Sequence, residues 1–424
     1  TSGELAMKPV SLATAISSAI ATVSFASTCV VSSVAADEIA ELHDRTITID
    51  SHIDWPFRQT RVPDFDPGIR NELGPPNNGQ WDIPRMEEGG LDAVFLAVFV
   101  PQRERNPEGL AAAKALADEQ IDLTSAMVDT NEERVEFATS PADIVRIEAA
   151  GKRAILMGIE NGYALGGDLE NVEYFYDLGV RYLTLTHSRN NSLADSSTDD
   201  QQEWDGLSPF GTEVVREMNR LGMMVDISHV HDDTFWDVIA LTEAPVIASH
   251  SSARSLRDVP RNMTDDMLRA VRDNGGVVQV CLLGDYIKDV EQSPEREAAL
   301  AELEDERAAL VAGALSDAEV EALLTQFRAI NERYPENKPT VADAVDHIDH
   351  MVEIMGIDHV GIGSDFDGGG GLSGINDVSE MFNITQELAA RGYSEADIQK
   401  LWGGNLMRVF GEVQEAAEAF TGST

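Results

Sequence analysis

Residues 46–56 read TITIDSHIDWP. Ile47 and Ile49 alternate with polar residues, the period of a strand with one buried face. The run then reaches His52 and Asp54, two metal-capable side chains two positions apart. Residues at that spacing face the same side of a strand, so both can reach one ion. A polar strand end facing water explains the pair equally well. The choice depends on whether the same ending recurs along the chain.

Short β-branched runs recur at Thr46–Asp50, Ala93–Val100, Ala154–Ile159, Tyr182–Thr186, Met224–Ser228, Val246–Ser249, Gly276–Leu282 and His359–Gly363. Amphipathic stretches lie between them, among them Leu110–Met127, Gly211–Leu221, Asp232–Leu241 and Asp265–Asn274. Strand–helix alternation predicts a parallel sheet. Eight such strands predict a closed (β/α)8 TIM-type barrel rather than an open doubly wound sheet. No GxGxxG follows the first strand, which argues against dinucleotide binding. The glycine-rich SDFDGGGGLSG at 364–374 has no residue placed to cradle a phosphate and reads as a loop. Residues 291–337, rich in Glu, Ala and Leu, read as a helical hairpin inserted before the last strand, either a solvated excursion, a lid or a dimer contact. Helices over Val378–Arg391, Ser394–Leu401 and Asn405–Phe420 close the chain.

In such a barrel the C-terminal strand ends form the site. The first run leads to His52 and Asp54, the third to Glu160, the fourth to His187, the fifth to His229, the sixth to His250 and the last to Asp365. Any one of them alone reads as a hydrogen-bonded structural residue or a turn former. The chain has nine histidines, however, and four of them close apolar runs, which chance placement does not explain. Imidazole with carboxylate suits zinc, with cobalt or manganese as substitutes. Five ligands (His52, Asp54, Glu160, His229 and His250) exceed one tetrahedral catalytic zinc and suit two ions about 3.5–4 Å apart. No GxSxG elbow or reactive cysteine offers a protein nucleophile.

Composition bounds the partners. The 424 residues are 43% hydrophobic, enough for a large core, and carry a formal net charge of −44. Such a surface repels nucleic acid and anionic lipid. An acidic, lysine-poor surface fits work in salty surroundings, where charges are screened. Residues 1–6 precede Met7 and read as a cloning scar. Residues 7–36 read as a signal peptide cleaved after Ala36, which implies export to a bacterial periplasm or the extracellular space; an N-terminal membrane anchor is the alternative. The Ser, Thr and Ala content of that segment disfavours stable membrane insertion. Residues 37–424 then form a single metallohydrolase barrel domain. Cys29 lies inside the signal, so the mature chain keeps Cys281 alone and no internal disulfide.

The ordered set DSHID, GIENG, YLTLTHSRNN, DISH, ASHSSARSL, PRNMTDD, HIDHMVEIMGIDHVGIGSDFDG and GGNLMRVF, from Thr46 to Phe410, resembles the membrane (renal) dipeptidase family, zinc peptidases of the amidohydrolase superfamily. The resemblance implies a dipeptide substrate, a homodimer, and two zinc ions bridged by Glu160 and a water or hydroxide. By the same resemblance His52 and Asp54 hold one zinc, and His229 and His250 the other. Asp365 matches the proton shuttle, His187 the histidine near the scissile carbonyl, Arg261 the receiver of the substrate carboxylate, and Tyr286 a substrate-contacting tyrosine. The implied reaction is direct hydrolysis, with an L- or D-residue at the C-terminal position. The family commonly has DGHNDxP and Glu-Gly-Gly where this chain has residues 50–56 and Glu160-Asn161-Gly162. Those departures mark Ser51, Ile53 and Trp55 as the expected seat of substrate choice, with Asn161 crowding the space beside Glu160. Two rivals remain at this point. A lactonase or cyclic amide hydrolase of the superfamily would commonly carry a bridging lysine, for which no strand end offers a candidate. A non-catalytic peptide-binding homologue would be expected to lack a ligand, and none is missing.

Overall fold

The computed structural model describes residues 33–62, 64–71, 79–311 and 317–421. Most of the expected signal segment, 7–36, therefore lies outside the described residues; its last four residues open a helix over Ser33–Asp44. Among the described residues nine strands follow: β1 Ile49–Ile53, β2 Ala93–Phe99, β3 Val135–Phe137, β4 Arg153–Glu160, β5 Val180–Thr184, β6 Met224–Asp226, β7 Ile247–Ala248, β8 Val277–Cys281 and β9 Val360–Gly363. They pair in parallel in the order β1-β2-β4-β5-β6-β7-β8-β9, with β3 attached to β4 outside that path. The ends of the path meet through a parallel bridge between Ile53 and Phe366. There the Asp54 amide donates to the Phe366 carbonyl at 2.8 Å and the Asp365 amide to the His52 carbonyl at 3.0 Å. The result is a nearly closed eight-strand TIM-type barrel ringed by helices, as the alternation predicts.

Alternation sorts the strand residues into two layers. Ile49, Phe95, Leu156, Tyr182, Met224, Ile247 and Val277 pack into one cluster, completed by Leu406, Val409, Phe410 and Val413 of the helix Asn405–Thr421. Their neighbours along the same strands, such as Val94, Leu96, Ile155, Met157 and Leu183, join the cluster that faces the surrounding helices. Each fully buried large side chain contributes about 1.5–3 kcal/mol. The interior is therefore a packed core, and the open end is left to the loops after the strands.

The structure corrects several boundaries. The first strand begins three residues later than expected, because Thr48 turns its amide to the Asp92 carboxylate at 3.0 Å and its hydroxyl to the Gly90 carbonyl at 2.6 Å. His52 accordingly sits inside β1. Strands β6 and β7 stop early for a related reason: Asp226 Oδ1 takes the amides of Ser228 and Ser249 at 3.0 and 2.8 Å. A side chain thus replaces the ladder where the chain must turn toward the site. β3 has no counterpart among the expected strands. The insert holds three helices, Pro294–Ala301, Glu304–Val311 and Asp317–Arg333, rather than the two of a hairpin. Buried Arg296 ties the first to the third through Asn331 Oδ1 at 2.8 Å and reaches the Tyr334 carbonyl at 2.9 Å. Among the described residues no helix is long and apolar enough to cross a membrane.

Candidate metal centre

Every strand-end residue singled out above meets at one mouth. Glu160, the last residue of β4, lies at its centre. Its Oε1 is 3.0 Å from His229 Nε2, 3.5 Å from His250 Nε2, 3.7 Å from His52 Nε2 and 3.7 Å from His187 Nε2. Asp54 Oδ2 stands 3.5 Å from His52 Nε2. Three overlapping triads bring their ligand atoms within 4.8 Å of one another: His52–Asp54–Glu160, His52–His250–Asp365 and Glu160–His187–His229. All but His187 are buried.

Hydrogen bonds behind the rings fix which nitrogen faces inward. Tyr182 Oη donates to the Ser51 carbonyl at 3.2 Å, so it accepts from His52 Nδ1–H at 2.9 Å. Ser249 Oγ donates to Asp226 Oδ2 at 2.6 Å, so it accepts from His250 Nδ1–H at 2.8 Å. Both histidines therefore turn an Nε2 lone pair toward Glu160, the arrangement that metal-binding histidines need. His229 Nε2 meets His250 Nε2 at 2.8 Å. His52 Nε2 and Asp54 Oδ1 are buried without any hydrogen-bond partner. Leaving buried polar atoms unpaired costs about 1–3 kcal/mol each. Lone pairs and carboxylate oxygens converging in this way are the donor set of a divalent cation.

The electrostatics agree. Burial raises the pKa of Asp54, and repulsion from Glu160 raises it further. Burial, then Asp54, likewise holds Asp365 well above the usual carboxylate range. Burial works against the charge on His52, but Tyr182, Asp54 and Glu160 outweigh it and raise its pKa. His229 and His250 are lowered by burial and then by neighbouring cationic groups. Desolvation at the crowded mouth, then Arg261, lowers His187 to about 3, so its ring is neutral. Part of the rise at Asp54 and Asp365 comes from carboxylates crowded together, a repulsion that a bound cation would relieve.

A cavity of about 300 Å³ opens over these groups, walled by Phe57, Phe99, Arg261, Leu283, Tyr286 and Asp365 among others. Arg261 is buried; its guanidinium donates to the His250 carbonyl at 3.2 Å and lies 5.2 Å from the Tyr286 ring. Its Nε has no acceptor and no carboxylate pairs with it among the described residues. Among the described residues, Asp365 Oδ2 receives only the Cys281 thiol, at 3.8 Å.

Two expectations fail. Ser51, Ile53 and Trp55 do not line the cavity and are almost completely buried. Ser51 Oγ donates to the Ser249 carbonyl at 2.5 Å, and Trp55 packs on Trp81 with ring centroids 5.5 Å apart. They pack within the barrel rim, away from the cavity wall. Nor does Asn161 crowd Glu160. Its side chain turns away to the Val100 carbonyl at 2.9 Å and to Asn191 at 2.9 Å. Asn161 sits at φ 83°, as do His229, Asp365 and Asp367 at φ 67°, 60° and 65°. Four of the five non-glycine residues with positive φ among the described residues thus surround this mouth, the local strain expected of a functional site. Tyr182, Ser249, Asp226, Phe57 and Phe99 escaped the sequence reading. Tyr182, Asp226 and Phe99 reach the site from strands far apart in the chain, whereas Ser249 adjoins His250 and Phe57 follows Asp54 by three residues.

The chain matches the family model described as membrane dipeptidase (peptidase family M19) over residues 36–424. It is similar to dipeptidase tcpJ of Claviceps purpurea, 32% identical over 378 residues, 88% of this chain and 78% of that protein. It is also similar to dipeptidase aclJ of Aspergillus oryzae, 34% identical over 347 residues, 80% of this chain and 72% of that one. Among solved structures, the probable dipeptidase PvdM from Pseudomonas aeruginosa is 34% identical with a TM-score of 0.76, covering 90% of this chain and 98% of the other.

Proposed function

The chain belongs to the membrane dipeptidase family, peptidase family M19, and is a metal-dependent dipeptidase; from that premise we propose that it cleaves dipeptides at a two-zinc centre held by His52, Asp54, Glu160, His229 and His250. The convergence of four imidazole nitrogens within 3.7 Å of Glu160 Oε1 carries this reading. Glu160, within 3.7 Å of all four, would hold both ions. Bound zinc polarises a carbonyl and lowers the pKa of water toward about 7, which supplies a nucleophile at neutral pH.

The chain's own residues do the rest. Arg261, buried and without a carboxylate partner among the described residues, receives the C-terminal carboxylate of the substrate, for which a guanidinium offers a bidentate fit. Tyr286, beneath that guanidinium, borders the same end. His187 is neutral and donates a hydrogen bond to the carbonyl oxygen as negative charge develops on it. Asp365 takes the proton of the attacking water and passes it to the leaving amine, a task suited to a carboxyl with a raised pKa. No covalent intermediate is required: Cys281 is buried, and burial raises its pKa, so it remains a thiol.

The proposal includes a C-terminal residue of either hand, and paired L,L and L,D dipeptides decide between them. It also includes export with residues 7–36 removed, tested by the intact mass of the secreted protein, and a homodimer, tested by sedimentation. The direct test is Asp365→Asn. Turnover should fall at least 1,000-fold while elemental analysis still finds two zinc ions per chain; undiminished turnover would refute the assignment.

A further inference from the structure

We infer that the N-terminal residue of the substrate is apolar, and that Phe57 and Phe99 select it. The inference rests on the reading above, in which the substrate carboxylate meets Arg261.

The barrel supplies the geometry. Arg261 is anchored to the end of β7 through the His250 carbonyl. β7 is sixth in the ring order, and β2 is second. In a ring of eight those positions face each other across the mouth. Phe99 is the last residue of β2, in register with Glu160, and Phe57 lies in the helix Trp55–Arg61 directly after β1. The metal-binding side chains stand between these two ends. A dipeptide spans only about 7 Å when extended. With its carboxylate at Arg261 and its carbonyl at the centre, its first side chain is directed toward β1 and β2.

There the wall is aromatic. The Phe57 and Phe99 rings meet edge to face with centroids 5.0 Å apart, and Phe99 lies 4.6 Å from the His187 ring. The wall therefore abuts the residue assigned to the scissile carbonyl. Phe57 also borders a second cavity of about 300 Å³, walled by Val100, Pro101, Leu116 and Tyr163 together with Arg61 and Arg103. An acidic side chain in this subsite would face Asp365 and Asp367, which line the same mouth and are not among the assigned zinc ligands. Burial against the rings favours an apolar side chain, and the carboxylates disfavour an anionic one.

The test is a panel of Gly-Ala, Leu-Ala, Phe-Ala, Trp-Ala and Glu-Ala on the zinc-loaded enzyme. We expect kcat/KM at least 10-fold higher for Leu-Ala and Phe-Ala than for Gly-Ala, the scale set by added methylenes in an apolar pocket, with Glu-Ala lowest. Phe99→Ala should cut the Leu-Ala to Gly-Ala ratio at least 5-fold, and Phe99→Leu should retain it. Phe57→Ala, which joins the two cavities, should raise Trp-Ala relative to Leu-Ala, a gain that misfolding cannot produce. Equal rates across the panel, or variants that alter only the choice of C-terminal residue, would overturn this inference and leave the dipeptidase standing. Hydrolysis of no member would overturn both readings.

Discussion

Tyr182 and Ser249 fix the inward-facing nitrogens of His52 and His250, so they govern metal affinity without touching metal. Tyr182→Phe removes the acceptor for His52 Nδ1–H while keeping the ring that fills the barrel. Zinc affinity should fall about 10–100-fold, measured by chelator competition, with a near-normal melting temperature. Arg261→Lys replaces a planar fork with a point charge. It should raise KM for dipeptides at least 10-fold and leave zinc content unchanged. At this scale the sequence was most informative about which His, Asp and Glu side chains converge, because such a residue closing an apolar run is visible locally. It was silent about Tyr182, whose hydroxyl matters only because β5 faces β1 across the barrel. It misled at Ser51, Ile53 and Trp55, because a departure from a motif reveals a changed residue but not the side it faces. Trp55 turned to Trp81 and not to the cavity.

The helix Ser33–Asp44 is fastened to the helix Phe382–Ala390 by a relay through buried His43. Trp402 Nε1 donates to Thr385 Oγ1 at 2.8 Å, Thr385 donates to His43 Nδ1 at 2.7 Å, and His43 Nε2 donates to the Gly89 carbonyl at 3.0 Å. Only a neutral ring satisfies this chain, and burial lowers the His43 pKa. The unfolded chain therefore binds the proton more readily. Stability from this contact is complete above pH ~6.5 and declines as pH falls toward the folded pKa, by at most ~1.4 kcal/mol per pH unit. A melting curve from pH 7.5 to 5 should show that loss, and His43→Gln should flatten it. β4 carries a second test. A Cβ on Gly158 would lie 2.1 Å from the Tyr182 ring, so Gly158→Ala should cost about 1–3 kcal/mol and weaken zinc binding together, read by denaturant titration and chelator competition. The parallel barrel itself was legible from strand–helix alternation. The boundaries of β6 and β7 were not, since a side chain of Asp226 ends both, and three-residue β3 is too short to show a period.

Across the whole molecule, the formal net charge is −44. Self-repulsion on such a surface weakens as salt shortens the screening length from ~10 Å at 0.1 M to ~3 Å at 1 M. The melting temperature should therefore rise from 0.1 to 1 M NaCl, and insensitivity to salt would contradict that account. Bound zinc should add stability of its own, because it binds the folded site in preference to the open chain. Fold, ligands and family all point to the same mouth, and the claim that unites them is that zinc held there cleaves dipeptides. The most direct measurement strips the protein with a chelator, then adds zinc back in steps while recording bound zinc and Leu-Ala hydrolysis together. The account predicts no turnover in the stripped protein and recovery that is complete at two zinc ions per chain. Full hydrolysis by metal-free protein, or two bound zinc ions with no hydrolysis of any dipeptide, would contradict it.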